Sequence, residues 1–304
     1  VGAFAPAKVN LALHLCGKRS DGYHEIDTWM LALDWGDTLT LARSQRPGIR
    51  LRVHGPHASA DIPSDERNLA WRAVQLVLAR EKQACGIDIE LKKAVPSQAG
   101  LGAGSADAAA AWLAAGLLLG LESTPEQCIS ELGSLGSDCV FFARAAATGL
   151  AHCTGRGELV TPHPLPRSTR SLAVIVPPLS CPTAAVYRAV QLPASCVMAP
   201  LTPRAWFDAP LESARARIEN GLEDAALRAV PELCAWREAL AGGGAGHWRL
   251  SGSGSAFFAL HDSAAAARAE LDRLAGILAL RGLFPRAAEV ASPLGAGAKT
   301  WPSS

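Results

Sequence analysis

The periodicities along this 304-residue chain predict an α+β protein in two parts. Three observations carry that expectation. The amino-terminal part is dominated by alternating, strand-like segments. A glycine-rich loop then separates a strand from an Ala-rich helix. Finally, a Pro-rich stretch without periodicity, TPHPLPRSTR at 161–170, precedes a second set of strands and helices. At roughly 150 residues per domain the length also allows two cores, and the expected division is 1–163 and 164–304.

The opening AKVNLALHLCG sets Lys8 and Asn10 against Val9, Leu11, Leu13 and Leu15 and stops at Gly17, which is the alternation of a half-buried strand. Taken alone, Lys8 and Asn10 mark the solvent face of an edge strand. KRSDGYHEI follows as a turn-rich loop. TWMLALDWGDTLTLARS and GIRLRVHG continue as strands, with Gly36-Asp37 and Pro47-Gly48 as turns. Asn68 to Arg80 is a helix that puts Leu69, Ala73, Leu76 and Val77 on one face, and 87–95 is a strand.

After the glycine-rich loop the apolar run from Ala108 to Leu121 would span only about 21 Å as a helix, short of a bilayer's hydrocarbon core, so it reads as a buried helix. Thr124 to Leu135 carries an N-cap candidate, Pro125 at the first helical position, and Gln127 where a capping box places Glu or Gln. SLAVIVPP at 171–178 is a buried strand. A helix is expected around 213–240, then a glycine break at 241–246. WRLSGSGSAFFAL is a strand, turn and strand, DSAAAARAELDRLAGIL a helix, and RAAEVAS a last strand.

Hydrophobic residues make up 49% of the chain and charged ones 19%, and 29 basic against 28 acidic residues leave a net charge of +1. That profile is globular and speaks against disorder and against a nucleic-acid surface. Eight cysteines are scattered without a CxxC or a Cys/His cluster, so they are expected as reduced thiols, with no protein metal site. The first residues lack a basic region ahead of an apolar one, so a cytoplasmic location is the expectation.

The strongest chemical signal is PSQAGLGAGSAD at 96–107, between a strand and a helix. Gly100, Gly102 and Gly104 free the backbone for positive φ and let amides converge, and a helix starting near Ser105 adds its positive end, which suits a phosphate group. There is no GxxxxGK[ST], and no acidic ribose partner at the spacing a dinucleotide fold needs. A second cluster, Ser251 to Ser255, sits between two strands of the other half, and two such loops suggest a cleft. Asp138, ahead of Val140, Phe141 and Phe142, is expected at the entrance to a buried strand, where a carboxylate is either partnered or functional.

Three motifs in order, PAKVNLAL at 6–13, PSQAGLGAGSADAA at 96–109 and LSGSGSAFF at 250–258, resemble the GHMP family of small-molecule kinases. The resemblance implies the two-domain GHMP kinase fold: a ribosomal-protein-like, ATP-binding N-terminal domain on a mixed sheet with helices on one side, a ferredoxin-like C-terminal domain, and an active site in the interdomain cleft. Narrower matches are DGYHEIDT at 21–28, LDWGDTL at 33–39, ERNLAWRA at 66–73, LGSDCVFF at 135–142 and GRGELVTP at 155–162. They resemble the members that phosphorylate the 2-hydroxyl of 4-diphosphocytidyl-2-C-methyl-D-erythritol, in non-mevalonate isoprenoid biosynthesis.

By that resemblance Asp138 would be the general base and Lys8 the cation beside it and the transferring phosphoryl group. Asn10, Tyr23, His24, Tyr187, Gly252 and Gly254 would bind the substrate, with His24 on the cytosine edge and Tyr187 stacked on the base. Pro96, Gly100, Leu101, Gly102, Ala103, Gly104 and Ser105 would wrap ATP, with Asn68 and Lys93 near the nucleoside. Mg²⁺ would arrive with ATP and take few protein ligands, Ser105 being the nearest candidate. The implied partners are the cytidine-diphosphate-linked methylerythritol and ATP, with no nucleic acid and no membrane, in a monomer or weak homodimer.

The chain departs from the family pattern at Gln98, Ala99, Ala103 and Ala106, where glycine or serine is usual, and at Gly221, where Asp usually follows Asn220. Ala at a position needing positive φ would be strained. Two other readings stand beside the main one. The first is a GHMP kinase for homoserine, mevalonate or a sugar, against which DGYH and Tyr187 speak. The second is a non-catalytic nucleotide or metabolite binder, against which Lys8 and Asp138 together speak, since binding alone needs no base.

Overall fold

The computed structural model describes residues 1–80, 85–192, 201–242 and 247–295. Most of the expected glycine break, Cys196 and the end of the chain lie outside the described residues. The amino-terminal elements are β1 (Gly2–Lys18), β2 (His24–Ser44), β3 (Gly48–His54), α1 (Leu69–Leu78), β4 (Gly86–Lys92), α2 (Ala103–Leu119), α3 (Pro125–Leu135), α4 (Ser137–Arg144), β5 (Leu150–Gly155) and β6 (Leu159–His163). The remainder are β7 (Ser171–Val176), α5 (Thr183–Arg188), α6 (Arg204–Phe207), α7 (Leu211–Arg215), β8 (Glu219–Asn220), α8 (Glu223–Ala229), α9 (Leu233–Gly242), β9 (Arg249–Leu250), β10 (Phe257–His261), α10 (Ala264–Leu280) and β11 (Ala287–Ala291).

The expected two-part α+β architecture is present. A mixed sheet runs β3-β4-β2-β1-β8, with β5 joining β2 and β6 joining β5, and a four-stranded antiparallel sheet runs β11-β7-β10-β9. One face of the first sheet packs under α1, α2 and α4, with Leu41, Ile89, Trp112 and Phe142 in that core. Its other face meets the second sheet: Val9, Leu11, Trp29 and Leu31 pack with Leu172, Val174, Phe258 and Leu260. The alternate residues Ala173, Ile175, Phe257 and Ala259 pack against α10, α9 and α8. A strand buried on both faces has no polar side, which is why 172–176 reads as an unbroken apolar run.

The same sandwiching corrects the reading of β1. It is a central strand, and Lys8 and Asn10 are 4% and 1% exposed rather than on a solvent face. Gly36-Asp37 is likewise no turn. β2 runs through it for 21 residues, because Gly36 has no side chain to meet the Ala5 carbonyl, where a Cβ would stand 2.4 Å away, and Asp37 turns its carboxylate inward. The expected helix around 213–240 is α7, β8, α8 and α9, interrupted where Asn220 pairs in β8 and accepts from the Leu222 amide ahead of α8, and where Pro231 intervenes.

α3 follows its sequence signature closely. The Thr124 hydroxyl accepts from the Gln127 amide at 3.3 Å and the Gln127 side chain accepts from the Thr124 amide at 2.9 Å. Thr124→Ala removes one half of this box and should cost about 1 kcal/mol in urea denaturation. An unchanged midpoint would show that α3 is held by packing alone.

Candidate active site

The stretch Ala94 to Ala103 leaves β4, packs Val95, Ala99 and Leu101 into the core between the two sheets, and enters α2. Gly100 and Gly102 take left-handed φ of 73° and 69°. α2 starts at Ala103, two residues earlier than expected, with Gly102 as an N-cap that has no side-chain hydrogen bond. The amides of Ala103, Gly104 and Ser105 therefore have no intrahelical acceptor, and Gly104 is exposed. Seventeen aligned peptides stand behind these three donors, so the loop presents a concentrated positive pole to an anion.

The departures from the family pattern fall unequally. Ala103 and Ala106 are helical and Ala99 is not at positive φ, so none of them is strained. Gln98 alone carries the cost, at φ 54°. Its side-chain carbonyl accepts from the Ser180 hydroxyl, which ties the loop to the second half of the chain.

Gly100 also serves the join between the halves. The Ser251 hydroxyl donates to the Gly100 carbonyl at 3.0 Å, the Ala256 amide donates to the Ala99 carbonyl at 3.0 Å, and a Cβ on Gly100 would stand 2.0 Å from the Ser251 carbonyl oxygen. Gly254 packs on the Leu250 side chain and faces Gly100, so it shapes this seam rather than an open surface. Gly252 faces the catalytic candidates: its Cβ would lie 3.1 Å from Asn10 Oδ1 and 3.3 Å from Lys8 Nζ. Asn220 holds that turn in place by donating to the carbonyls of Leu250 and Gly252, both at 2.8 Å.

Lys8 and Asp138 come together across the sequence. Lys8 Nζ stands 3.5 Å from Asp138 Oδ2 and donates to Asn10 Oδ1 at 2.8 Å. Asn10 Nδ2 in turn donates to Thr28 Oγ1 at 2.8 Å, and Thr28 donates to the Ala12 carbonyl at 2.7 Å. Both ends of the Asn10 amide are thus engaged in orienting the lysine. The Lys8 stem runs past Gly102, whose Cβ would be 3.0 Å from Lys8 Cγ, so the side chain lies against the glycine loop.

Asp138 is not on a strand. It sits in the first turn of α4, after Gly136. The sequence there is apolar enough for either structure, and the burial of Cys139, Val140, Phe141 and Phe142 against α2 decides for the helix. The side chain of Asp138 is 32% exposed while that of Lys8 is 5% exposed, so the carboxylate is the partner a substrate can reach. Neighbouring Cys139 bonds to Ser105, and burial pushes its thiol up to about 12, so it stays protonated.

His24 and Tyr187 form an aromatic pair with ring centroids 5.3 Å apart, and Tyr187 lies in the field of Asp138. Burial holds His24 below the usual imidazole range, with Lys18 adding to the effect, so the ring is neutral at pH 7 and offers one donor and one acceptor. Burial, then the field of Asp138, raises Tyr187 above the usual phenol range. Tyr23 is 56% exposed, with the Arg156 guanidinium over its ring at 4.7 Å.

Two residues expected near the nucleoside are turned to other work. Asn68 is the N-cap of α1, accepting from the Ala70 amide at 2.9 Å and donating to the Pro63 carbonyl at 2.7 Å. Lys93 is 2% exposed, with its ammonium between Asp37 and Asp107. Pro96 and Leu101 are buried beneath the loop, and the Leu101 carbonyl accepts from the Lys8 amide at 2.9 Å. Sequence reasoning missed Thr28, Asp37, Asp107 and Asn220. Asp37 and Asp107 lie inside recognised motifs, yet nothing in their spacing shows that they meet. Among the described residues no group of three or more His, Cys, Asp or Glu could hold a metal, and no helix is long and apolar enough to cross a membrane.

Comparison with known proteins gives this geometry its relatives. The family models for the GHMP kinases N-terminal and C-terminal domains match residues 68–147 and 204–277. The 4-diphosphocytidyl-2-C-methyl-D-erythritol kinase of Pelotomaculum thermopropionicum is 36% identical over 262 residues, 86% of this chain and 88% of that one. That of Geobacter sp. strain M21 is 35% identical over 278 residues, covering 90% and 94%. A crystal structure of 4-(cytidine 5'-diphospho)-2C-methyl-D-erythritol kinase superposes with a TM-score of 0.76 at 32% identity, over 98% of this chain and all of that one. A homoserine kinase from Cytophaga hutchinsonii, at 21% identity and a TM-score of 0.70, shares the fold. An uncapped helix over an anion loop, a buried lysine facing a reachable carboxylate, and relatives alike over nearly their whole length lead to one conclusion: the chain belongs to the GHMP kinases, in the family of the 4-diphosphocytidyl-2-C-methyl-D-erythritol kinases.

Proposed function

We propose that this chain transfers the γ-phosphoryl group of ATP to the 2-hydroxyl of 4-diphosphocytidyl-2-C-methyl-D-erythritol. The observation that carries the reading is the Lys8–Asp138 pair, with the Lys8 stem against Gly102 at the open start of α2 and Asp138 acting electrostatically on Tyr187, the ring partner of His24. The amides of Ala103, Gly104 and Ser105 receive the phosphates. The acceptor hydroxyl approaches Asp138, which takes its proton as the oxygen attacks phosphorus and ADP leaves. Lys8 holds Asp138 in place and faces the charge that spreads over the transferring oxygens; an ammonium suits this as a compact point charge.

His24 and Tyr187 hold the cytidine, with Tyr23 as its rim. Asn10 acts through Lys8, and Gly252 lets the second half of the chain close on both. Mg²⁺ fits this site as a companion of ATP: the oxygens at hand are the Ser105 hydroxyl and the Asp138 carboxylate, too few for a protein cage and suited to an ion that keeps phosphate and water ligands. When bound it neutralises phosphate charge.

The test is phosphorus NMR of purified protein with ATP, Mg²⁺ and, separately, the cytidyl alcohol, homoserine and mevalonate. Turnover of the cytidyl alcohol alone is the expected outcome. Turnover of homoserine or mevalonate instead would overturn the specificity assigned to His24 and Tyr187, and ATP binding without turnover of any acceptor would favour the non-catalytic reading.

A further inference from the structure

Directly beneath the phosphate loop lies a buried cluster that the catalytic scheme leaves unused. Lys93 Nζ donates to Asp37 Oδ2 and, at 2.6 Å, to Asp107 Oδ2. All three side chains are 5% exposed or less. Asp37 Oδ1 accepts from the amides of Ala94 at 2.5 Å and Val95 at 2.9 Å, so this carboxylate grips the chain just before the loop. Asp107 stands one turn into α2, just after the loop. The cluster thus clamps both ends of 96–102, and Lys93 is the link between them.

Its charges do not balance if both acids ionise. One ammonium would face two carboxylates, leaving a net negative charge with no water to solvate it, which a protein interior tolerates poorly. The two carboxyl groups lie within hydrogen-bond reach of each other, and burial, with Asp37 opposing Lys93, raises Asp107 to about 8. Asp107 Oδ1 has no partner, so nothing stabilises a full charge on that oxygen. A proton kept on Asp107 makes the cluster neutral.

We propose that Asp37, Lys93 and Asp107 form a proton-sharing strut that sets the affinity of the loop for nucleotide phosphates, with Asp107 as a positioning residue that carries the proton. Ionising Asp107 places a negative charge about 6 Å along the helix axis from the first open amide of α2, where it opposes the phosphates through a low-dielectric core. Other ionisable groups face the strut from the loop after β3 and from around β11. His57 donates its amide to the Lys93 carbonyl at 3.2 Å and lies in the fields of Asp37, Lys93, Arg286 and Glu289. Burial lowers His57 below its usual range, so it is neutral throughout pH 7 to 9.5 and does not produce a change there.

The inference rests on ATP being the ligand of this loop. The test is calorimetric titration of the full chain with Mg²⁺ and a non-hydrolysable ATP analogue between pH 7 and 9.5, with KM for ATP and for the acceptor alcohol measured alongside. The dissociation constant of the unaltered protein should rise about fivefold across this range, with KM for ATP following and KM for the alcohol flat. Asp107→Asn, which still accepts from Lys93 but cannot ionise, should abolish the rise. Asp107→Ala, which empties one side of the strut, should weaken the analogue at every pH. Melting temperatures at both ends of the range separate these effects from unfolding, and the near-isosteric Asn variant decides the matter should the Ala variant fail to fold. A flat profile in the unaltered protein, or the same rise in Asp107→Asn, overturns the strut. Absence of nucleotide binding at any pH overturns both this and the kinase reading, whereas analogue binding with the expected profile but no turnover of the cytidyl alcohol leaves the strut standing and removes the proposed reaction.

Discussion

Asp138→Asn should lower kcat by about 10² to 10⁴-fold, the range for loss of a positioned general base. The amide keeps the size of the carboxylate and a carbonyl oxygen to face Lys8 Nζ, now 3.5 Å from Oδ2, but it cannot take a proton from the acceptor hydroxyl. Analogue affinity should hold or improve, because a negative charge beside the phosphates is removed. Lys8→Met should be as damaging by another route: it removes the cation facing the transferring oxygens and leaves Asn10 Oδ1 without its donor. The check is single-turnover phosphorylation at saturating ATP with the melting temperature measured in parallel. A folded Asp138→Asn protein with kcat within tenfold of the unaltered chain would exclude Asp138 as the base.

The second large effect is structural and falls on Gly100. A methyl group there would stand 2.0 Å from the Ser251 carbonyl oxygen and 2.9 Å from the Gly254 amide. Both obstacles are backbone, so no side chain can swing aside. The residue also holds φ 73°, which costs an L-residue roughly 1 to 2 kcal/mol, and forced overpacking adds about 1 to 3 kcal/mol. Gly100→Ala should therefore lower the melting temperature by roughly 5 to 10 °C and weaken nucleotide binding, since the contacts of Ala99 and Gly100 with Ala256 and Ser251 must open. Gly104→Ala is the contrast. Its nearest atom outside the helix is Leu69 Cδ1 at 3.9 Å, and alanine in a helix is favoured over glycine by up to about 1 kcal/mol, so thermal stability should hold or rise. Equal destabilisation by the two would show that the loop needs glycine generally rather than at the seam.

Much of this molecule is legible in its residues. The capping box of α3 and the apolar run of β7 are short-range signals, and each formed as read, whereas β1 formed as a strand but without the solvent face its alternation predicts. The glycine loop formed in part as read: Gly100 and Gly102 take positive φ, whereas Gly104 is already inside α2, which starts two residues early. The Lys8–Asp138 pairing was legible only through resemblance; 130 residues of chain separate the two positions, and no local rule joins them.

What went unread has one cause in common. Asp138 reads as standing at the entrance to a strand because VFF suits strand and helix alike, and only packing against α2 and α3 separates them. Gly36-Asp37 looks like a turn until Lys93 and the amides of Ala94 and Val95 are brought to the carboxylate. Lys93 looked free to meet a nucleoside because its carboxylate partners lie 56 and 14 residues away.

By itself the sequence determined the α+β class, the capped start of α3 and the glycine loop between β4 and α2, all of which follow from local backbone preference and periodicity. Only the tertiary structure decided that Lys8 and Asn10 are buried, that Gly100 serves the seam between the halves while Gly102 opens the helix, and that a lysine and two acids stand beneath the phosphate loop. Burial and charge pairing depend on which distant segments share a core, and that is a property of the packed chain rather than of any stretch within it.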